Sequence, residues 1–349
     1  MTRRRATRRR FLIGCSAIAG VGLAGCTGGD ESTATDSTPS PTDDGDAEPT
    51  TTTDEPTATD TETATPDQTT VETLVSVGGD RVPENMALGP DGGLYFGITA
   101  GEVRRVPETE TGATDLTLDD TEQIATLPGA IGVETAPDGT VYVAVATQDD
   151  QAGVWEVPAD GEATQLVGIS GFPNDIHYDT DREHLLVTES QNGVVYAVTT
   201  DGERSTWLDD DRLDTESFGA NGITRDADGD IYVAVTRAPE NTGRLLRVPV
   251  ESDGAAGEPS MFFEGEAIFG ADGITSRDGD IYVAANSQNR VVRVTADGTT
   301  DTVATADDGL VFPSDVLFGT GDQRESLFIC NFANQSPEDG AILRTSVPR

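Results

Sequence analysis

A six-fold repeat constrains this sequence more than any other feature. An apolar residue that follows a polar pair such as Asn-Gly or Asp-Gly recurs six times, at spacings of 47, 43, 47, 51 and 42 residues. The six apolar positions are Met86, Val133, Ile176, Ile223, Ile274 and Val316. Repeats of this length with several short strands each are typical of β-propellers, whose four-stranded sheets stand around a central channel.

Each repeat has the same order of segments after its apolar position. A turn comes first, as in RDGD (277–280), and two alternating stretches follow, as in IYVAVTR (231–237) and GRLLRVPV (243–250). Apolar residues with a period of two, bounded by Gly and Asp, predict strands. A fourth, outer strand is predicted in five repeats, near Gln123–Leu127, Thr164–Val167, Arg204–Leu208, Pro259–Phe263 and Asp301–Thr305.

The last repeat lacks an outer strand, because the sequence stops at Arg349 just after the third strand of that repeat. The stretch VETLVSV (71–77) precedes the first repeat and belongs to none. We therefore predict an all-β fold, a six-bladed β-propeller over residues 71–349 that is closed by this N-terminal strand, since closure removes the exposed sheet edge. An irregular β-sandwich is the alternative, but it would not explain the even spacing.

The N-terminus predicts export and lipid anchoring. TRRRFLI (7–13) resembles a twin-arginine signal, and FLIGCSAIAGVGLAG (11–25) is an apolar stretch too short to span a bilayer stably. It ends in LAGC (23–26), which resembles a lipobox, so residues 1–26 are predicted to be a signal peptide with Cys26 as the lipidated residue. The predicted location is the extracytoplasmic face of the cell membrane; an uncut membrane anchor is the alternative.

Residues 27–70 predict an extended, disordered tether. Their apolar side chains are four alanines, they contain no basic residue, and Thr, Pro and acidic residues dominate them. Such a segment cannot bury enough apolar surface to offset the entropy of ordering it. It is either an O-glycosylated stalk or a plain spacer.

Charge and cysteine content exclude several partners. All 22 basic residues are Arg, and 63 acidic residues give a formal charge of −41. Nucleic acid is therefore excluded as an electrostatic partner. This composition resembles that of proteins from salt-loving microbes, where salt screens the repulsion. After signal cleavage and lipidation Cys330 is the one free cysteine, so no intrachain disulfide is predicted.

Equivalent positions of the six repeats predict a cation site on the channel axis. The innermost strands of a propeller line its channel, so residues two positions before each apolar residue form a ring. The ring members are Glu84, Ile131, Asn174, Asn221, Asp272 and Ser314. Glu84, Asn174, Asn221 and Asp272 supply oxygen ligands of the kind that a hard divalent cation prefers. The alternative for Asn221-Gly222 and Asp272-Gly273 is a pair of tight hairpin turns.

At these residues the sequence resembles the gluconolactonase/regucalcin/luciferin-regenerating-enzyme family and the calcium-dependent diisopropyl-fluorophosphatase type. The matching positions, in the family's order over about residues 71–349, are Glu84, Asn174 in FPNDI, Asn221 in ANGI and Asp272 in ADGI. Two positions depart from the pattern: Asn85-Met86 replaces Gly-Pro, and Phe172 replaces an Arg that grips the sugar in gluconolactonases. This second departure puts a sugar-acid lactone in doubt as the substrate.

The resemblance implies a six-bladed propeller that hydrolyses a lactone or an ester, including a phosphoester, with one divalent cation in the channel. Ca²⁺ is the expected ion, with Mg²⁺, Mn²⁺ and Zn²⁺ as alternatives. Asp272 would be both ligand and catalytic general base or nucleophile. Phe172, Phe218 and Phe269 would wall the substrate pocket, with packing between blades as their alternative use. The expected partners are a small-molecule substrate and the membrane, and the protein is expected to be a monomer.

A second class of function stays open. VAANSQNRVVRVTADG (283–298) also resembles NHL repeats, which form non-catalytic binding propellers, and a cation would then be structural. His177 and His184 are interpreted as strand residues without partners for a zinc site. Cys330 is interpreted as a small buried apolar side chain.

Overall fold

The structure is a computed structural model that describes residues 70–79, 81–159 and 161–348. The predicted signal peptide with Cys26, and all of the predicted tether except Thr70, lie outside the described residues. No helix in the described part of the chain is long and apolar enough to cross a membrane.

Twenty-five strands make up most of the described chain. The first twelve are β1 (Glu72–Ser76), β2 (Pro83–Leu88), β3 (Leu94–Ile98), β4 (Glu102–Val106), β5 (Leu116–Thr117), β6 (Glu122–Thr126), β7 (Val133–Thr135), β8 (Val141–Val145), β9 (Gly153–Val157), β10 (Thr164–Gly168), β11 (Pro173–Asp179) and β12 (His184–Glu189). The others are β13 (Val194–Thr199), β14 (Arg204–Asp209), β15 (Ala220–Arg225), β16 (Ile231–Ala238), β17 (Thr242–Val248), β18 (Ser260–Gly265), β19 (Ala271–Arg277), β20 (Asp280–Ala285), β21 (Arg290–Val294), β22 (Thr300–Ala304), β23 (Pro313–Phe318), β24 (Ser326–Asn331) and β25 (Ala341–Ser346).

Short 3₁₀ turns are the helical elements of the described residues. They are Glu108–Glu110, Leu118–Asp120, Pro239–Asn241, Glu266–Ile268, Asn286–Gln288, Ala306–Asp308, Gly321–Gln323 and Pro337–Asp339. All lie in connections, where they leave the sheets uninterrupted.

The strands form six sheets, numbered here as blades one to six in chain order. Blades one to five have the orders β2-β3-β4-β6, β7-β8-β9-β10, β11-β12-β13-β14, β15-β16-β17-β18 and β19-β20-β21-β22, and blade six contains β23, β24 and β25. The innermost strands β2, β7, β11, β15, β19 and β23 contact one another in that order, and β23 returns to β2. This closed ring confirms the predicted six-bladed propeller. The six apolar repeat positions all lie on these innermost strands.

The outer strands occur where the repeats predicted them. The five predicted stretches correspond to β6, β10, β14, β18 and β22, with ends that differ by a few residues. One strand was not predicted: β5, only two residues long, pairs in parallel with β1. This pairing gives blade six a fifth strand, in the order β23-β24-β25-β1-β5.

Strand β1 occupies the fourth position of blade six. It pairs antiparallel with β25, with Glu72 opposite Arg344 and Ser76 opposite Ala341. Leu74 and Val75 are fully buried in the apolar cluster between blades six and one. The first strand of the domain is thus hydrogen-bonded to the last one, so both ends of the propeller chain are held in the same sheet.

The core is divided among the interfaces between blades. Six apolar clusters are present in the described residues, and each draws its members from two neighbouring blades. One cluster, for example, joins Ala136 and Tyr142 of blade two to Ile176 and Leu185 of blade three. Because both faces of each sheet are covered, the second strands are apolar at nearly every position, as in the fully buried β8.

Replacing Leu74 by Ala tests the contribution of β1. We expect Leu74→Ala to lower the free energy of unfolding by about 2–5 kcal/mol, because it opens a cavity at a fully buried position. Urea unfolding followed by circular dichroism measures this. Ser76→Ala, on the exposed side of the same strand, is the control and should stay near wild type. An unchanged stability for Leu74→Ala would contradict the placement of β1 in blade six.

Candidate functional site

A β-bulge at the start of the innermost strands shapes the centre of the propeller. In blade four, Ala220 lies opposite Val235 and Ile223 opposite Val233, so β15 has one residue more than β16 over this stretch. The same irregularity occurs in β2, β11, β19 and β23. A bulge re-aims side chains, and here it falls at the ring positions and the residues that follow them.

The four predicted ligands lie at these bulges. Asn174, Asn221 and Asp272 are buried and Glu84 is half-buried. Glu84 Oε2 is buried and has no hydrogen-bond partner. We call these four residues the hub. A carboxylate oxygen that is buried without a donor is costly, and a bound cation would remove that cost.

Hydrogen bonds fix the two hub amides. Asn174 Nδ2 donates to Ser190 Oγ at 2.9 Å, and Asn221 Nδ2 donates to Thr236 Oγ1 at 2.8 Å. Both hydroxyls belong to the second strand of the blade or directly follow it. With the nitrogens held there, the Oδ1 atoms are the parts of both amides that are suited to ligate a cation.

Asp272 is held by amide donors. Asn286 Nδ2 donates to Asp272 Oδ2 at 2.6 Å, and a hydrogen bond from the Asn221 side chain also stabilises this carboxylate. Burial nevertheless raises the pKa of Asp272 to about 7, because desolvation outweighs these bonds. The bond with Asn221 brings two predicted ligands from different blades together.

The hub concentrates negative charge. Burial raises the pKa of Glu84 well above its usual range, and the charges of Asp272, Asp315 and Asp175 raise it further. Burial likewise raises the pKa of Asp175 to about 6 and that of Asp315 well above its ordinary value. The charged groups that act most strongly on Glu84 are thus all carboxylates. No Arg side chain is among the groups that act most strongly on the pKa of Glu84, which fits a site for a bound metal cation.

Three polar residues next to the hub were not predicted: Asn85, Asp175 and Asp315. Asp175 Oδ2 accepts from Ile223 N at 2.9 Å, and Asp315 Oδ2 accepts from Met86 N at 2.9 Å. Asn85 Oδ1 accepts from Val133 N at 2.8 Å. Each bond joins one blade to the next. The available signal was a polar residue directly before the repeated apolar position.

Two further hydrogen bonds connect the innermost strands of different blades. Asn85 Nδ2 donates to Asp175 Oδ1 at 3.1 Å, and so links blades one and three. Ser314, the sixth ring member, donates from Oγ to Glu84 O at 2.6 Å. Ile131, the apolar ring member, is half-buried in a loop before β7.

The glycines of the Asn-Gly and Asp-Gly pairs are not turn residues. Gly222 and Gly273 lie inside β15 and β19, and the φ angles of both fall outside the left-handed region. A Cβ on Gly222 would lie 2.3 Å from Asp272 O, and one on Gly273 would lie 2.1 Å from Asp315 Oδ1. The hairpin-turn interpretation is therefore wrong, and these glycines permit close approach of neighbouring innermost strands.

The predicted pocket residues are Phe172, Phe218 and Phe269. All three are half-buried, and the rings of Phe172 and Phe218 make an edge-to-face contact with centroids 5.1 Å apart. None of the three belongs to an apolar cluster between blades. The Phe172–Phe218 contact joins blades three and four, so packing between blades accounts for part of the surface of these two rings.

Cys330 is a fully buried free thiol in a core cluster, as its sequence context indicated. It also lies beside the hub: burial raises the pKa of the Cys330 thiol well above its usual value, although a hydrogen bond with Ser314 lowers it, and the charge on Glu84 raises it. A thiol kept protonated in this way is a poor nucleophile.

Both histidines lie on blade-three strands, as predicted. His177 Nδ1 is 3.9 Å from Glu134 Oε2, and burial lowers the pKa of His177 to about 4. Burial also raises the pKa of Glu134 to about 7, against the opposing effect of backbone donors from Thr135 and Tyr178. The pair is therefore uncharged in mildly acidic solution.

The donor set of the hub suits Ca²⁺ better than zinc. Within the described ranges, no three His, Cys, Asp or Glu side chains are grouped so that they could hold a metal ion. The hub combines only two carboxylates with two amides. Hard oxygen donors of mixed charge are typical of Ca²⁺ and Mg²⁺ sites.

Comparison with known proteins supports the fold. The family model described as strictosidine synthase-like, N-terminal, matches residues 72–106, which include Glu84. No curated protein matches the sequence. Similar solved structures include a gluconolactonase from Xanthomonas campestris, with 17% identity, a TM-score of 0.60 and coverage of 81% of this chain and 91% of that one.

Two further structures show the same likeness. A calcium-binding regucalcin from Agrobacterium tumefaciens has 18% identity and a TM-score of 0.56, with 78% of this chain and 95% of that one covered. A PQQ-bound aldose sugar dehydrogenase from Streptomyces coelicolor has 14% identity and a TM-score of 0.59, with 80% and 99% covered. The chain thus has structural neighbours in the gluconolactonase/regucalcin group that its motifs indicated. At these identities the likeness shows the fold.

Replacing Gly222 by Ala tests the close approach at the hub. We expect Gly222→Ala to lower the free energy of unfolding by about 1–3 kcal/mol, because its Cβ would collide with the backbone of β19. Chemical denaturation measures the change. Gly168→Ala is the matched control, since its Cβ would meet no atom closer than 3.9 Å. Equal stability of both variants would contradict the contact.

The pKa of Glu134 predicts a pH dependence of stability. Between pH 4.5, the ordinary pKa, and about 7 the folded protein keeps a proton that the unfolded chain releases. The free energy of unfolding therefore falls as pH rises through this window, by about 3 kcal/mol at most for this group.

Glu134→Gln has no proton to lose, so its fall over the same window should be smaller by up to this amount. Urea unfolding at several pH values measures both profiles. A residual fall from Asp175 and Asp272, whose pKa values are also raised, is expected in the variant. Glu110→Gln at an exposed position should keep the wild-type profile. Parallel profiles for wild type and Glu134→Gln would contradict the raised pKa.

Proposed function

We propose that this protein is a divalent-metal-dependent hydrolase of a lactone or an ester, with its active site at the hub. The observation that carries the proposal is the buried, unpartnered Oε2 of Glu84 among carboxylates from other blades. A bound cation would stabilise such a group of buried carboxylates, and the similar structures include one named a gluconolactonase and one named a calcium-binding regucalcin.

Glu84, Asn174, Asn221 and Asp272 would hold the cation, with Ca²⁺ the expected ion. When bound, it supplies Lewis-acid polarisation of a carbonyl or phosphoryl oxygen. The chain itself fixes three of the four side chains before any ligand arrives, since Ser190, Thr236 and Asn286 orient Asn174, Asn221 and Asp272. Preorganised groups need no rearrangement during the reaction.

Asp272 is the residue to which we assign the catalytic role of general base or nucleophile. Its Oδ2 is held by Asn286, so the carboxylate has a fixed orientation at the start of β19. As general base its carboxylate takes the proton of the water that attacks the carbonyl carbon. As nucleophile it bonds to that carbon while the bond from the carbon to the ring or ester oxygen breaks, that oxygen leaves as the alcohol, and water then hydrolyses the resulting anhydride.

We also propose that the protein acts as a monomer at the extracytoplasmic face of the membrane, attached through lipid on Cys26. The support is the sequence of residues 7–26 alone. Mass spectrometry of the N-terminal peptide from the native host tests this, because an unmodified Cys26 or an uncut signal would contradict it.

Activity assays with and without chelator test the hydrolase. We expect turnover of lactones or aryl esters that disappears with chelator, returns with Ca²⁺ and falls about 10²–10⁴-fold in Asp272→Ala. The control is Asp280→Ala, whose carboxylate pairs with Arg293 outside the hub, and which should keep wild-type activity.

A different result would favour the binding propeller. In that case chelator lowers the melting temperature, no substrate of the panel is turned over, and the cation has a structural role. Retention of full hydrolytic activity in Asp272→Ala would contradict the role of this residue.

A further inference from the structure

Five phenylalanines lie next to the strand ends on the side of the propeller where the innermost strands begin. Four precede a ring position by two or three residues, and the fifth directly follows β24. They are Phe172, Phe218, Phe269, Phe312 and Phe332, here called the phenylalanine collar. All five are half-buried, so part of each ring stays accessible.

The collar is separate from the core. The other five phenylalanines of the described residues lie in the apolar clusters between blades or pack against them: Phe96, Phe262, Phe263, Phe318 and Phe328. No collar residue does so. The collar residues are therefore not part of the apolar clusters that fill the space between the blades.

Collar residues contact one another. Phe172 of blade three meets Phe218, which precedes blade four, at 5.1 Å between centroids and an angle of 73°. Phe312 and Phe332 of blade six lie 6.0 Å apart. Each pair of rings in such a contact forms a rigid apolar surface against which an apolar ligand group can pack.

The backbone of Phe312 is held in an unfavourable conformation. Its φ is 50°, in the left-handed region that aromatic residues rarely adopt. Phe312 N donates to Asn289 Oδ1 at 2.8 Å, and Asn289 has a φ of 51°. Strain of this kind persists where the surrounding structure enforces it, and it is common at ligand sites.

We propose that the phenylalanine collar binds the apolar alkyl or aryl part of a neutral lactone or ester, and so sets the substrate class of the hub. This inference rests on the proposed function, which supplies the hydrolytic reaction, whereas the preference for an apolar substrate is argued from the collar. A polyhydroxylated lactone would place hydroxyls against phenylalanine rings that offer no hydrogen bond.

The test compares ligands that differ only in apolar length, with the full-length protein. γ-Lactones with alkyl chains of increasing length are assayed beside glucono-δ-lactone. We expect kcat/KM to rise up to about fourfold per added methylene, the equivalent of burying that group, and the polyhydroxylated lactone to be the poorest substrate.

Variants locate the effect. Phe172→Ala and Phe218→Ala, made separately, should flatten the dependence on chain length. Phe262→Ala is the matched control: its ring also makes an edge contact at 5.1 Å, with Tyr232, but lies in a core cluster. It should lower stability and leave the chain-length dependence unchanged.

A binding measurement separates this inference from the proposed function. 3-Alkylcyclopentanones, in which CH₂ replaces the ring oxygen of a γ-alkyl lactone, have the shape of the lactones and cannot be hydrolysed. In a calorimetric titration the dependence of their affinity on alkyl length therefore reports on the collar. If no lactone or ester is hydrolysed but ketone affinity rises with chain length and falls in Phe172→Ala, the hydrolase proposal fails and the collar inference holds.

The opposite results overturn the inference. Hydrolysis without chain-length dependence, or with preference for the polyhydroxylated lactone, contradicts the collar and leaves the hydrolase standing. A dependence that survives in both Phe172→Ala and Phe218→Ala contradicts the assignment to these residues. If the protein neither hydrolyses any lactone or ester nor binds the ketones, both proposals are contradicted.

Discussion

Burial of like charges on the propeller axis is the constraint on which the centre of this structure depends. Glu84, Asp175, Asp272 and Asp315 come from four blades and influence one another's ionisation strongly enough to raise the pKa of Glu84. A protein interior stabilises such a group through hydrogen-bond donors, protonation or a cation. Here donors serve Asp175, Asp272 and Asp315, but Glu84 Oε2 has none. The one unsatisfied oxygen is the reason to place a cation beside Glu84.

The polar residues at the bulges form two sets with different roles. Asn85, Asp175 and Asp315 accept backbone N–H groups of neighbouring blades, so they stabilise the ring of blades. Three hub residues, Asn174, Asn221 and Asp272, accept or donate hydrogen bonds within their own blades, with the side chains of Ser190, Thr236 and Asn286. Because the first set fixes the distance between blades, the hub can be small and still preorganised. Gly222 and Gly273 also keep neighbouring blades close together, since a larger residue would push the blades apart.

The aromatic residues divide in a similar way. Phenylalanines such as Phe96 and Phe328 are fully buried between blades, where they contribute hydrophobic stabilisation. Collar residues such as Phe172 and Phe312 keep accessible surface at the channel entrance, one of them at the cost of a left-handed backbone. A chain in which aromatic residues are only 5% of the total places half of its described phenylalanines there. This distribution gives the entrance an apolar character that the acidic surface of the protein lacks.

Much of the fold could be predicted from the sequence, because the repeat is local. Strand period, turn residues and spacing are set by neighbours along the chain, and they located the outer strands to within a few residues. The four hub positions could also be named, since equivalent places in equivalent repeats must meet at the axis. Their status as metal ligands stays a prediction. Strand β5 and the roles of Asp175 and Asp315 could not be predicted, because they arise from contacts between distant segments.

The sequence by itself thus determined the number of blades, the positions that approach the axis and the acidity of the chain. Only the tertiary structure decided that Gly222 and Gly273 permit close approach of neighbouring strands, since Asn-Gly and Asp-Gly pairs form hairpin turns in other contexts. It also decided which phenylalanines belong to the core and which to the entrance. The physical reason is the same in both cases: sequence periodicity fixes the direction of a side chain within its own sheet, whereas the atoms that it meets come from the next blade, some 40 to 50 residues away along the chain.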